Sequence, residues 1–271
     1  MAFMPFITAG DPDLETTQRA VLTLADQRVD LIEIGFPYSD PIADGPVIQA
    51  SYTRALQKKL QVAEIFAAIK GLTTVQKGRQ GEGGTGRKAG AGALPPLVAM
   101  VAYSIIFRMG RENFVRDARD AGFSGLIVPD LPADEAKEMA AVARAQSLDL
   151  IQLIAPTTTP ERTRRILELA RGFIYCISVA GTTGVRDELP AALKQQLAWL
   201  KTQTQLPLAV GFGISRPDQV ESLRGLADGV IVGSAIVRHM AAIAEGKAPA
   251  HQALEEIGKL AAEMVAATHG Q

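Results

Sequence analysis

The chain has 271 residues, of which 47% are hydrophobic and only 5% aromatic, so its core must be built mainly from Ala, Val, Ile and Leu. The 28 basic and 29 acidic residues leave a formal net charge of −1, which argues against a strong attraction to nucleic acid or to an anionic membrane. A single cysteine, Cys176, excludes an internal disulfide, and neither a signal peptide nor an apolar run of membrane-spanning length is recognisable, so a soluble cytoplasmic protein is expected.

Strand-like runs alternate with helical patterns along almost the whole chain. The predicted strands, in chain order, are Phe3–Ala9, Asp30–Gly35, Leu97–Ala102, Gly125–Pro129, Leu150–Ala155, Phe173–Ser178, Leu206–Gly211 and Gly229–Gly233. The predicted helices lie near residues 13–28, 62–76, 111–121, 134–146, 160–171, 189–203, 216–225 and 249–268. Asp13 caps the first of them, and Pro160 and Pro217 occupy first turns. Eight β–α units favour a single-domain (β/α)8 TIM barrel, with an open doubly wound sheet as the alternative.

Two stretches depart from this pattern. Residues 77–92 hold seven of the 25 glycines and four basic residues against one acid, so they are expected to form a mobile, solvated loop. Because this segment joins a helix to the next strand, the barrel would place it on the face opposite the active site. The chain also enters its first strand at Phe3, so a helix covering the barrel floor is not expected before it.

The second predicted strand carries a carboxylate. With period-two alternation Ile32 and Ile34 face the helices, whereas Leu31, Glu33 and Gly35 point into the barrel. Desolvation near the strand's C-terminal end should raise the pKa of Glu33 and suit it to proton transfer near neutral pH. The alternative is a buried Glu paired with a distant Arg or Lys.

The loop after this strand runs from Gly35 to Pro46 and contains Asp40, Asp44 and three prolines. Proline restricts the backbone, so the loop is suited to hold both acids in fixed places. Turn formation or helix capping would explain the two aspartates about as well.

The loop after strand six, residues 180–185, is rich in Gly and Thr and could close over a ligand. Tyr175 precedes it at an alternating strand position and offers a phenol from the barrel wall, with plain core packing as the alternative. No metal site is apparent, because Cys176 has no partner at ligand spacing and the three histidines lie in C-terminal helical segments.

Glycines follow the last two strands. Strand seven runs into residues 211–215 and strand eight into Gly233, Ser234 and the helical pattern beyond them. Glycine lets the backbone approach an anion closely, and the free N–H groups of a helix N-terminus point at it. These loops predict a phosphate site on the opposite side of the mouth from the acids; ordinary glycine turns with Ser234 as a simple N-cap are the alternative.

Taken together, these residues resemble the tryptophan synthase α-subunit family. Six stretches match in family order across nearly the whole chain: PFITAGDPD (5–13), LIEIGFPYSDPIADGPVIQ (31–49), LIVPDLP (126–132), ISVAGTTG (177–184), VGFGIS (210–215) and GVIVGSAIV (229–237). The resemblance implies a lyase of tryptophan biosynthesis that cleaves indole-3-glycerol phosphate to indole and glyceraldehyde 3-phosphate in a retro-aldol reaction.

The resemblance also implies roles for single residues. Glu33 matches the glutamate taken to protonate indole C3 and to help remove the glyceryl hydroxyl proton, and Asp44 matches the aspartate that holds the indole N–H. Tyr175 matches a phenol near the glycerol portion, and Phe6 matches one wall of the indole pocket. The positions matching phosphate-binding residues are Gly184, Gly213, Gly233 and Ser234.

Assembly with a partner is implied as well. Thr183 lies in the closing loop, and Asp40 matches a residue that couples the site to a β subunit, expected in an α2β2 complex. That subunit carries pyridoxal phosphate and consumes the indole, so this chain is expected to hold no cofactor.

The chain departs from the family in three places: the floor helix expected before Phe3, the insertion at 77–92, and Ile105 where many members have Asn. For the floor helix, either the start is set too late or the floor is covered in another way. Loss of that amide could alter the contact with the β subunit. Two other functions stay open, namely a β-subunit activator without useful turnover and another phosphate-sugar barrel enzyme such as an isomerase or epimerase.

Overall fold

The strands of the molecule are short and apolar. The computed structural model describes residues 1–41, 44–81, 94–131, 135–177, 191–211 and 213–270, and only the backbone of 73–81. Within these ranges the strands are β1 (Ala2–Thr8), β2 (Ile32–Gly35), β3 (Leu97–Met100), β4 (Phe123–Ile127), β5 (Asp149–Ile154), β6 (Ile174–Ile177), β7 (Leu208–Gly211) and β8 (Gly229–Val232). Each pairs in parallel with the next, and β8 pairs with β1, so the sheet is a closed barrel. The open-sheet alternative is therefore wrong.

Helices connect the strands on the outside of the barrel. The described residues form α1 (Leu14–Asp26), α2 (Pro46–Gln57), α3 (Val62–Gly81), α4 (Tyr103–Met109), α5 (Arg111–Ala121), α6 (Ala136–Ala145), α7 (Pro160–Leu169), α8 (Ala191–Gln203), α9 (Pro217–Glu221), α10 (Ser234–Ala244) and α11 (Ala250–His269). The Asp13 side chain accepts from Thr16 N at 2.7 Å and so caps α1. Pro160 and Pro217 occupy the predicted first turns. All eight predicted strands and all eight predicted helices are confirmed, although their observed bounds differ from the predicted ones by a few residues.

Two predictions about the elements need correction. The helix α4 was not anticipated, because seven residues give too short an apolar period to recognise. The expected loop at 77–92 is wrong over residues 77–81, which continue α3 beyond its last described buried residue, Leu72. Once a helix exists, each further residue adds a backbone hydrogen bond without needing burial. Residues 82–92 lie outside the described residues.

Apolar side chains fill two layers. Ile32 and Ile34 belong to the larger layer between strands and helices, whereas Met4, Phe6 and Val98 belong to a second cluster inside the barrel. Strands buried on both faces explain why the sequence reads as nearly continuous apolar runs. At the amino-terminal face, a cavity of about 340 Å³ is lined by residues that include Met1, Arg224 and Asp228. The carboxyl ends of the strands form the opposite face, where the loops bearing the predicted site begin.

Candidate active site

Glu33 lies inside the barrel, as predicted. In register it stands between Phe6 of β1 and Val98 of β3, and its side chain is 1% exposed. Its Oε1 has no hydrogen-bond partner among the described residues. Burial, and then the charge of Asp44, raise the pKa of Glu33 from 4.5 to about 8. Among the described residues no Arg or Lys contributes to this pKa shift, so they give no support to the alternative of a structural ion pair. With a pKa of about 8 the carboxyl group is mainly protonated at neutral pH.

The loop after β2 brings Asp44 close to Glu33. We call the space at the mouth of the barrel between Glu33, Asp44, Tyr175 and Phe6 the chamber. The Asp44 N–H donates to Pro41 O at 3.1 Å, and Gln49 Nε2 donates to Asp44 O at 2.8 Å, so the backbone turn is closed on both sides. Burial raises the pKa of Asp44 to about 6, while the Tyr38 hydroxyl, donating at 3.4 Å to Oδ2, opposes the rise. Gly45, not an aspartate, is the N-cap of α2, so capping does not explain Asp44.

Asp40 lies in the same loop but outside the chamber. Its side chain is exposed and accepts from the neighbouring Ser39 hydroxyl at 3.0 Å. A solvent-facing carboxylate cannot act on a buried substrate, but it is available to a partner. The assignment of Asp40 to partner coupling therefore stays a prediction.

Tyr175 enters the chamber from β6. It is 4% exposed, and its hydroxyl lies directly over Gly211 of β7, where a Cβ atom would come within 2.4 Å of it. Burial, with the charges of Glu33 and Asp44, raises the pKa of Tyr175 well above its usual value. The ring packs in the interior cluster, and the charges of Glu33 and Asp44 act on its hydroxyl, so a role for Tyr175 in the reaction stays a prediction beside plain core packing.

Phe6 spans the distance between the acids and the glycines. The tip of its ring would meet a Cβ at Gly35 within 2.5 Å, and its Cδ1 would lie 3.5 Å from a Cβ at Gly233. Closure of the barrel places β2 and β8 on either side of β1, so only the strand that bears Phe6 separates them. The expectation that the acids and the glycines lie on opposite sides of the mouth is wrong for Gly233. An aromatic wall joins the two ends of the chamber instead.

The loops after β7 and β8 carry three of the residues predicted to bind an anion, and their role stays a prediction. Gly213 has a φ of +85°, and no described atom lies within 4 Å of the position that its Cβ would take. Gly233 is the N-cap of α10 and Ser234 its first residue, so the alternative in which Ser234 is a simple N-cap is wrong. The first helical bond runs from Val237 N to Gly233 O at 3.0 Å, and the amides before it have no intrahelical acceptor. Gly184 and Thr183 lie outside the described residues.

Two phenols of the chamber were missed from the sequence. Tyr38 contacts Asp44, and the ring of Tyr52, from α2, packs on the ring of Tyr38 with centroids 5.3 Å apart. The signal for Tyr52 was its place on the apolar face of α2, where a tyrosine is ordinarily assigned to the core. Among the described residues no group of three His, Cys, Asp or Glu side chains is arranged to hold a metal ion. No described helix is long and apolar enough to cross a membrane.

The raised pKa of Glu33 predicts how stability changes with pH. Because the folded-state pKa of about 8 exceeds the unfolded value of 4.5, burial carries no ionisation penalty below pH 4.5 and its full penalty above pH 8. Glu33→Gln should therefore unfold at higher denaturant concentration than the parent chain. The difference in the free energy of unfolding should grow between pH 4.5 and 8 by about 1.4 kcal/mol per pH unit. Urea unfolding at several pH values measures this, and a margin independent of pH would contradict the raised pKa.

Comparison with known proteins identifies the family. The profile described as tryptophan synthase alpha chain matches residues 1–269. The tryptophan synthase alpha chain of Rhodopirellula baltica is 44% identical over 262 residues, which cover 95% of this chain and 89% of that protein. That of Gloeobacter violaceus is 44% identical over 245 residues, covering 90% of this chain and 83% of that protein.

Solved structures agree with the sequence matches. The tryptophan synthase subunit alpha of Legionella pneumophila is similar with a TM-score of 0.83 at 32% identity, covering 100% of this chain and 93% of that one. A chain from the tryptophan synthase α2β2 complex of Pyrococcus furiosus gives a TM-score of 0.82 at 36% identity, with 97% of both chains covered. On these matches, the chain belongs to the tryptophan synthase alpha chain family.

Proposed function

We propose that Glu33, Asp44 and Tyr175 carry out in this chain the reaction of its family, the cleavage of indole-3-glycerol phosphate to indole and glyceraldehyde 3-phosphate. The chain is a carbon–carbon lyase of tryptophan biosynthesis. The observation that supports these residue assignments is a pair of carboxyl groups in one chamber whose pKa values differ, about 8 for Glu33 and about 6 for Asp44. Two acids with separated pKa values can take opposite roles at the same pH.

Glu33 acts as the acid. At neutral pH it holds a proton, which it gives to C3 of the indole ring; the bond from C3 to the glycerol carbon then breaks and its electrons return to the ring. The carboxylate left behind takes the proton of the glyceryl hydroxyl, which becomes the aldehyde of glyceraldehyde 3-phosphate. One proton is given and one is taken, so the group ends the cycle in its starting state.

Asp44 acts as the charge partner. With a pKa of about 6 it is ionised at neutral pH and can accept the indole N–H, which becomes more acidic as positive charge develops on the ring. The Tyr38 hydroxyl on its Oδ2 favours the charged form. Tyr175, over Gly211, would donate to the glycerol portion, and Phe6 would form one wall of the indole pocket.

Phosphate would bind on the side of the Phe6 ring that faces Gly233, across that ring from Gly35. Open space at Gly213 and the N-terminus of α10 at Gly233 and Ser234 support this assignment, and Gly184 would complete the site. Anchoring the phosphate places the indole ring between the two acids, so binding energy far from the reacting bond contributes to catalysis. Thr183 would belong to the loop that closes over the substrate.

The partner is the β subunit of tryptophan synthase, in an α2β2 complex. The similar Pyrococcus furiosus chain comes from such a complex, whose subunits are described as mutually activating. We infer that Asp40 contributes to the coupling and that Ile105, on α4, lies at the contact. Pyridoxal phosphate belongs to the β subunit in this proposal, and the cleavage uses only side chains of this chain.

A cleavage assay with titrated β subunit tests this function. Indole release from indole-3-glycerol phosphate should be detectable with the chain alone and should increase with added β subunit until the two chains are equimolar. Stimulation of the β reaction without any cleavage would instead indicate an activator that has lost turnover. Tight binding of a pentose phosphate but not of an indole phosphate would indicate another barrel enzyme.

A further inference from the structure

One face of α2 is buried against the mouth of the barrel. Its buried residues recur at helical spacing and are Ile48, Ser51, Tyr52 and Ala55. The Tyr52 side chain is 0% exposed and belongs to the cluster inside the barrel. A polar phenol therefore projects from a helix into the same chamber as the two acids.

Two contacts on either side of Tyr52 hold this helix in place. Arg54 donates through Nε and Nη2 to the two carboxylate oxygens of Asp11, at 2.9 and 2.7 Å, and Asp11 is fully buried. The hydroxyls of Ser51 and Thr8 lie 2.6 Å apart and join α2 to β1. The bidentate pair restricts rotation of the helix, so the phenol has a defined position.

The absence of a side chain at Gly35 makes room for the Tyr52 hydroxyl. A Cβ at Gly35 would lie 2.7 Å from the Tyr52 hydroxyl and 2.5 Å from the tip of the Phe6 ring. Gly35 follows Glu33 by two residues on the same inward face of β2. The hydroxyl thus lies over the strand position next to the catalytic acid, toward the mouth.

The Tyr52 hydroxyl and Glu33 Oε1 are both polar atoms left without a hydrogen bond within the described part of the chain. Both atoms are buried, and neither has a hydrogen-bond partner among the described residues. Unpaired buried polar atoms destabilise a fold, so their retention in a reaction chamber points to a function that stability does not explain. One of the two can donate and the other can accept.

The other described groups of the chamber do not form a hydrogen bond with either atom. Asp44 and Tyr38 face it from the loop after β2 and Tyr175 faces it from β6, while the strands beside Glu33 present the apolar Phe6 and Val98 in register. Burial, and next the charge of Asp44, raise the pKa of Tyr52 well above its usual value. The phenol therefore keeps its proton across the working range and remains a donor.

We propose that Tyr52 is a positioning residue whose hydroxyl donates a hydrogen bond to the Glu33 carboxylate once that group has released its proton. The bond would stabilise the negative charge at the moment when the carboxylate must remove the glyceryl hydroxyl proton, in a place where water is excluded. This inference rests on the proposed role of Glu33.

The pH profile of cleavage in Tyr52→Phe tests the proposal, with β subunit present at saturation. The limb of kcat/KM at high pH reports the free enzyme's essential acid. Without the hydroxyl the Glu33 carboxylate is less stable, so this limb should move to higher pH by about one unit, with a lower kcat. The substitution removes one oxygen and no packing atom, so at pH 6, where Glu33 is protonated, the melting temperature should equal or exceed that of the parent chain.

Two further variants separate the possible outcomes. Tyr103→Phe removes a phenol hydroxyl outside the chamber, one that accepts from Arg111 at 3.4 Å, and should leave the limb in place. An unmoved limb, or one that moves to lower pH, in Tyr52→Phe while Glu33→Gln is inactive overturns the role of Tyr52 alone. Cleavage by Glu33→Gln at the parent rate overturns the proposed function, and the role of Tyr52 with it.

Discussion

Glu33→Gln should lower kcat for indole-3-glycerol phosphate cleavage by about 10²- to 10⁴-fold, the usual contribution of a positioned general acid or base. The amide has nearly the shape of the protonated carboxyl group but can neither give a proton to C3 nor take one from the hydroxyl. Substrate contacts at the phosphate end are unchanged, so KM should change far less than kcat. Steady-state assays with saturating β subunit measure both constants.

Stability distinguishes this loss from misfolding. The same variant should be more stable than the parent chain near pH 8, because it lacks a carboxyl group whose ionisation is penalised by burial. Glu263→Gln, an exposed substitution of the same kind on α11, should change neither rate nor stability. Parent-like turnover in Glu33→Gln would show that the proton comes from elsewhere.

Arg54→Leu should lower the free energy of unfolding by about 3–5 kcal/mol, as expected when one partner of a buried ion pair is removed. Asp11 is fully buried and receives two hydrogen bonds from Arg54, whose side chain is 21% exposed. Without the guanidinium group the carboxylate is left without its charge partner in a place that water does not reach. Because α2 carries Tyr52, kcat should fall as well.

Two comparisons make this result specific. Arg116→Leu breaks an exposed contact with Asp117 and should cost less than about 1 kcal/mol. Adding Asp11→Leu to Arg54→Leu should recover much of the lost stability, because replacing both partners by apolar groups removes the unpaired charge. If Arg54→Leu costs no more than Arg116→Leu, the pair does not anchor α2. Urea unfolding of the four proteins gives the comparison.

The secondary structure was largely predictable because strands and helices leave different periods in the sequence. Alternation on β2 placed Ile32 and Ile34 outside and Glu33 inside, as found. Helix boundaries followed from local capping, as at Asp13. The helix α4 and the extension of α3 to Gly81 were not predictable, because the first has too few residues to show a period and the second runs past the last described apolar residue of its helix.

Contacts between residues that are distant in the chain could not be predicted from the sequence. Tyr52 looks like an ordinary core residue of α2, and only barrel closure brings its hydroxyl over Gly35 beside the ring of Phe6. The position of Gly233 at the mouth also depends on barrel closure. Because β8 pairs with β1, Gly233 at the end of β8 is separated from β2 by one strand only.

The sequence by itself determined the eight β–α units, the inward direction of Glu33 and the glycines at the ends of β7 and β8, since each depends on neighbours a few residues away. The upward direction of the Glu33 pKa shift also followed from the sequence, but only the tertiary structure decided its size and the contribution of Asp44. Burial between Phe6 and Val98, with Asp44 nearby, raises the pKa of Glu33 to about 8, and a pKa responds to the solvent and charge that the whole fold places around a group.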